Sequence, residues 1–559
     1  MKHRLLCILS AIVLGIVALA STRAYAPVDK KKSADGRVHL LHTDRLYFDK
    51  RKNPRAKFLV GNVQFEHDGA IMYCDSALLY EATPSMGGGA AGSSFDEFNA
   101  FGHVRMVQGD TLTLVCDEMY YDCRSEIASA RYNVVLTHRD TRLYSDSLDY
   151  ERLINTGYYS DGGRLIDKDN ELTSDWGVYQ VDTRDAHFQY NVILLNPAPP
   201  KETRTKIITN DLYYNTGTEL AYVVGPSNID NGGNHIYTER GYYDSQKDFV
   251  TLLDRTILQN GHKTLVGDSV VWDNVLKEGQ AFGNAIYHDE ENKNYFKGDY
   301  CLYNDSTGYS IAYDNALAID YSQGDTLWAH ADTFKVFSYN YQTDSVYRVL
   351  HAYKHMRAYR SDVQAVCDSM VMNSKDSCMI LYRDPIMWME DQQLLGEEIH
   401  AFFNDSTIDS VQVHRQALSV ERLDSIHYNQ IAGKLMRFYF IDSALDRSVV
   451  EGNVYLNYYP IDDDSLMIGM NHIESTLMKM YLKESKVDHV WMPAATGTLY
   501  PVPLIPHNVL YLENFAWFDY IRPLTKDDVF EGRGKTQGLE LKESIRREAP
   551  KQKLKDIKQ

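Results

Sequence analysis

Residues 133–151 read Asn133-Val134-Val135-Leu136-Thr137-His138-Arg139-Asp140-Thr141-Arg142-Leu143-Tyr144-Ser145-Asp146-Ser147-Leu148-Asp149-Tyr150-Glu151. Apolar residues alternate with polar ones on both sides of a polar break, as two half-buried strands would. In the second strand Leu143 stands three before Asp146, and Leu148 and Tyr150 stand two and four after it. The two sets are an odd number of residues apart, so the buried side changes at the acid. A change of side without loss of strand character predicts a bulge or corner there. Small Ser145 would relieve crowding at the bend, and the acid is placed to bond exposed backbone N–H groups.

The same unit recurs along the chain. A small residue followed by an acid or amide occurs at Thr43-Asp44, Cys74-Asp75, Cys116-Asp117, Ser145-Asp146, Ser174-Asp175, Thr209-Asn210, Thr238-Glu239, Gly267-Asp268, Gly298-Asp299, Ala331-Asp332 and Cys367-Asp368. The spacings are 31, 42, 29, 29, 35, 29, 29, 31, 33 and 36. The longest contains the Gly-rich insertion around Gly88, and the 35 contains Asn196-Pro197-Ala198-Pro199-Pro200. Without these loops the period is close to 30, which marks a stacked repeat protein. A second strand precedes each acid strand and opens on a turn-like residue: Gly61-Asn62-Val63, Gly102-His103-Val104, Asn191-Val192-Ile193, Gly283-Asn284-Ala285 and Gly452-Asn453-Val454. Two strands and two turns per period predict an all-β sheet of more than twenty antiparallel strands, folded over itself as an elongated jelly roll or clasp. Copies weaken after Cys367.

Composition agrees. Tyr is abundant at 41 copies and Pro scarce at 15, which suits strands. Lys2 and Arg4 precede an apolar run from Leu5 to Ala20 with small residues beyond it, so residues 1–26 read as an export signal. Removing it leaves 55 basic residues against 77 acidic ones, a net charge of −22. That charge argues against nucleic acid as a partner, since phosphate binding needs a basic stripe. Residues 27–39 form a charged lead, 40–340 the clearer repeats and 341–484 the degenerate ones, with a soft boundary near Asn340. Residues 485–538, with Pro493, Pro501, Pro503 and Pro506 and several large aromatics, among them Trp491, Tyr500, Tyr511, Phe515, Trp517 and Phe518, read as a cap over an open sheet end. Residues 539–559 form a charged tail.

Little enzymatic chemistry is visible. The acids recur in one turn context, whereas a catalytic carboxylate pair would be a local exception. The exported part has six cysteines, Cys74, Cys116, Cys123, Cys301, Cys367 and Cys378, at no metal-ligand spacing; an oxidising envelope would permit disulfides without fixing their pairing. The histidines are scattered; His351 and His355 read as a surface pair. No phosphate loop or nucleophile elbow occurs. No cofactor or metal is expected.

The Gly-Asn-Val strand followed by small-Asp-x-Leu-x-Tyr resembles the repeat of the LptA/OstA-like lipopolysaccharide-transport family, over about residues 40–460. Ile468-Gly469-Met470-Asn471 and Arg522-Pro523-Leu524-Thr525-Lys526-Asp527-Asp528-Val529-Phe530 resemble the tail of the longer OstA-like proteins of Bacteroidetes. The resemblance implies a periplasmic, non-enzymatic protein, with an outer-membrane association as an expectation. It would bind lipopolysaccharide by its acyl chains and bridge to other transport components by end-on strand addition. The lipid-facing interior would then include Leu148, Tyr150, Tyr179, Val270, Trp272 and Tyr303. The competing expectation is a β-solenoid that binds or processes carbohydrate. An open apolar groove would favour lipid; a filled core with carboxylates on one outer face would favour carbohydrate.

Overall fold

The computed structural model describes residues 38–531, apart from 50, 52, 82–94, 203, 323, 405–406, 442–443, 462–466 and 484–485. The export signal, most of the charged lead, the insertion around Gly88 and the charged tail lie outside the described residues. The rest is nearly all strand: 34 strands, two 3-10 turns and the short helix Asp528–Glu531 among the described residues. The chain forms two compact units, 1–168 with 176–183, and 169–175 with 184–559. In each unit, neighbours in sequence pair antiparallel, as in Ile127–His138 with Thr141–Glu151 and Phe249–Asn260 with Lys263–Asp273. At Asn340 the pairing does not break, because Leu327–Tyr339 continues into a hairpin with Tyr347–Tyr359.

A bulge sits at every acid, but its extra residue lies on the neighbouring strand. Arg131 faces Ser147 and Val134 faces Ser145, so Tyr132 and Asn133 together oppose Asp146 alone. Both bulge residues are left-handed, at φ 60° and 53°. The same two-residue kink recurs at Gly61/Asn62, Gly102/His103, Tyr190/Asn191, Gly283/Asn284, Asp314/Asn315 and Lys354/His355. Asn tolerates this backbone better than most residues, which explains the Gly-Asn signature.

The acid's role differs from the expected one. It chiefly accepts from a side chain on the following strand, not from the backbone of a bend. Asn133 Nδ2 donates to Asp117 at 2.6 Å, Asn191 to Asp175 at 2.7 Å, Asn284 to Asp268 at 2.9 Å and Asn315 to Asp299 at 3.0 Å. Histidine takes the place at His103–Asp75, 2.7 Å, and His355–Asp332, 3.0 Å. The small residue before the acid also has a cause. A Cβ on Gly298 would meet the carbonyl oxygen of Tyr313 at 2.9 Å and that of Tyr300 at 3.2 Å. Cys74, Cys116 and Cys367 occupy this same buried position. All six described cysteines are free and buried, so no disulfide forms among them.

Because each strand bends at its bulge, its two halves face each other across a core. Phe65 and Phe98 stack at 4.5 Å, Tyr287 and Tyr303 at 5.0 Å, and Phe296 meets Phe334 edge-on at 6.2 Å, each pair joining opposite halves. The change of side read in the sequence is visible as burial of Leu143 before the acid and of Leu148 and Tyr150 after it.

The first part of the Pro-rich, aromatic segment adds two strands to the last repeat strand. Lys486–Trp491 and Thr496–Tyr500 pair only with Met470–Lys483 among the described residues, and Val490, Trp491 and Leu499 are exposed. Residues 509–530 instead turn back into the second unit. Leu512, Ile521 and Val529 are buried there, because the degenerate repeats leave apolar wall that their own side chains do not cover.

Candidate functional site

The candidate site is the interior between the two halves of the strands. The expected residues all lie in it. Leu148, Tyr150 and Tyr179 are buried in the first unit, and Val270, Trp272 and Tyr303 in the second. The interior is filled. Trp272 lies so close to Gly279 that a Cβ there would meet its ring at 2.9 Å. The core around Tyr287, Phe296, Ile311, Phe334 and Val336 holds only a narrow apolar crevice.

The tyrosines have a second task. In most repeats the aromatic residue four after the acid reaches the mouth, the edge opposite the bulges, and bonds a polar group there. In the first unit Tyr121 Oη lies 2.7 Å from His67 Nδ1, and Tyr179 Oη lies 2.8 Å from His138 Nδ1. In the second unit Asn170 Nδ2 donates to Tyr214 Oη at 2.8 Å, and Tyr243 Oη donates to Asn196 at 3.2 Å. Lys263 takes this place for Tyr303, which also donates to Asp305 at 2.7 Å. Tyr150 and Trp272 instead bond the turn after their own strand, at Asn155 and Asn274. Burial holds the hydroxyls of Tyr121, Tyr150, Tyr243 and Tyr303 protonated far above the ordinary range, so they stay neutral.

The mouth of the first unit also holds a buried cation. Arg152 donates to Tyr121 Oη at 2.7 Å and to the His67 carbonyl at 3.0 Å, and pairs with Glu126 at 3.3 Å. The mouth residues His67, His138, Asn170, Lys263 and Arg152 escape the sequence reading. Their only signal is position: His67 and His138 end strands directly before a turn. Both are buried. Of the expected surface pair, His355 is a bulge residue and His351 packs edge-on against Phe337 at 5.5 Å.

On the outer side, the repeat acids are exposed from Asp44 to Asp332, and Asp44, Asp75, Asp117, Asp175, Asp268, Asp299 and Asp332 each bond a bulge residue. No group of three or more His, Cys, Asp and Glu side chains among the described residues is arranged to hold a metal ion. No helix among them is long and apolar enough to cross a membrane.

Residues 35–204 match the model of the family described as OstA-like protein. Over that stretch the chain is similar to this family. Among solved structures, it is similar to LptH of Pseudomonas aeruginosa, described as the LptA homologous periplasmic component of the conserved lipopolysaccharide transport device. That match has 16% identity, covers 25% of this chain and 79% of LptH, and has a TM-score of 0.15. No curated protein matches the chain.

Proposed function

We propose that the chain is a non-enzymatic lipid-handling protein of the bacterial periplasm that holds lipopolysaccharide by its acyl chains. The observation that carries this is an apolar interior, hinged along one side by bulges and fastened along the other by a few hydroxyl bonds to a rung. A mouth bond of this kind contributes about 1 kcal/mol net. One long acyl chain, at about 0.8 kcal/mol per buried CH₂, gains roughly 10 kcal/mol. An entering chain can therefore part the mouth bonds of several rungs, and the rings then pack on lipid instead of on each other. The OstA-like match supports the envelope setting. Photo-crosslinkers at Tyr150 and Trp272 should capture lipopolysaccharide in living cells. Capture at neither position, with exposed Tyr47 as the control, would count against the proposal.

Passage onward needs an end where one interior meets another. Among the described residues, His39–His42 and Arg45–Phe48 pair only with Ala56–His67, and Leu41, Leu46 and Phe48 are exposed. This free edge is the proposed junction with another transport component, by strand addition.

The filled core and the exposed carboxylate row favour a second reading, an envelope protein that binds carbohydrate on its outer face. Replacing Asp268 and Asp299 by Asn separates the two: glycan binding would fall under the second reading, while lipid capture at Trp272 would persist under the first.

A further inference from the structure

Beyond Tyr303 the mouth of the second unit is closed by different means. Residues 509–530 cross its strands from the Asn457 rung back to the Leu317 rung. Four buried amides, one to a rung, hold this segment. Asn457 donates to the Val509 carbonyl at 2.8 Å. Gln430 donates to Leu510 O and accepts from Leu512 N, both at 2.9 Å. Gln393 donates to Ala516 O at 2.9 Å and accepts from Phe518 N at 2.7 Å. Gln364 accepts from Arg522 at 2.7 Å. Between these ties three side chains enter the wall: Leu512 against Leu418, Val420 and Tyr428; Ile521 against Ile386 and Trp388; Val529 against Leu317 and Ile319. The segment joins no β-ladder, and Tyr511, Leu524 and Phe530 face water.

We propose that this trough is a second acyl-chain site and that residues 509–530 are its removable lid. The proposal rests on the lipid-handling reading above. The wall under the lid is a line of aliphatic and aromatic side chains spanning several rungs. What it now receives is apolar groups delivered in series along that line, which is how an acyl chain presents its methylenes. The amides sit at the mouth, so water can bond them once the lid leaves, and opening strands no buried polar group. A strap built only for rigidity would gain more from strand pairing, which buries its backbone bonds in a ladder. The lid therefore confines lipid to the tyrosine-closed rungs until it is displaced.

The test uses the full chain with a protease site inserted between Tyr500 and Pro501. After cutting, a pyrene-labelled hexadecanoic acid is added, and both the bound probe and the released 501–559 piece are measured. Release of the piece, with about one further probe bound per chain, is the expected result. Probe binding without release, or no extra binding once the piece is gone, overturns the lid and leaves the lipid reading standing. No probe binding before or after cutting overturns both. In the uncut chain, Gln393→Ala with Gln430→Ala should tighten probe binding about tenfold, since it weakens the lid and spares the wall. Unchanged affinity in that variant also overturns the proposal.

Discussion

At Asn284 the backbone is left-handed, at φ 44°, and the side chain donates to Asp268. Beside it, Gly283 at φ 69° leaves no room for a Cβ, which would lie 2.6 Å from that carboxylate. One residue thus meets a backbone demand and a bonding demand together. Asn284→Val should destabilise the second unit by about 2 kcal/mol, because a branched side chain is strained at this φ and the bond is lost. Asn284→Gly should cost only the bond, about 1 kcal/mol. Urea unfolding followed by tryptophan fluorescence distinguishes them; equal losses would show that the backbone demand is not what selects Asn. His103 meets the same demand with a titrating group. The Asp75 carboxylate raises its pKa, so the charged bond is fully formed below the ordinary histidine range and fades as pH rises through the raised value.

At the scale of the strand, proline substitution tests the free N-terminal edge. Prolines at alternate positions along residues 41–48 remove outward N–H groups without touching the far repeats. They should abolish binding of the partner component and leave thermal unfolding of the second unit unchanged; normal binding by such a variant would exclude this edge as the junction. The strands themselves were legible in the sequence because their signal is local and repeated. Alternation on either side of Ser145-Asp146 gives the half-strands, and the odd offset from Leu143 to Leu148 gives the change of side. The partner of each acid was not legible, since Asp117 and Asn133 meet only after the hairpin closes. The mouth bonds were hidden for the same reason: His67 and Tyr121 are 54 residues apart. The segment 509–530 was readable as apolar and non-repeating, but its destination was not. Gln364, Gln393, Gln430 and Asn457 look like ordinary polar strand residues until the backbone they hold lies across them.

For the molecule as a whole, the crowding beside each bulge has a chemical consequence. Three of the positions that demand a small buried residue are filled by cysteine, and three more thiols lie elsewhere in the two cores. Burial pushes the Cys74, Cys116, Cys301 and Cys367 thiols up to about 12, so almost no reactive thiolate forms while the core is shut. Each is a native clock for the opening of its own rung. Cys74, Cys116 and Cys123 report on the first unit, and Cys301, Cys367 and Cys378 on the second. Alkylation by a small maleimide, read by mass spectrometry, should proceed at separate rates for the two sets if the units open independently. A single common rate would mean that the core opens as one body. Cargo that pries the rungs apart should then leave its passage written in which sulfurs have reacted.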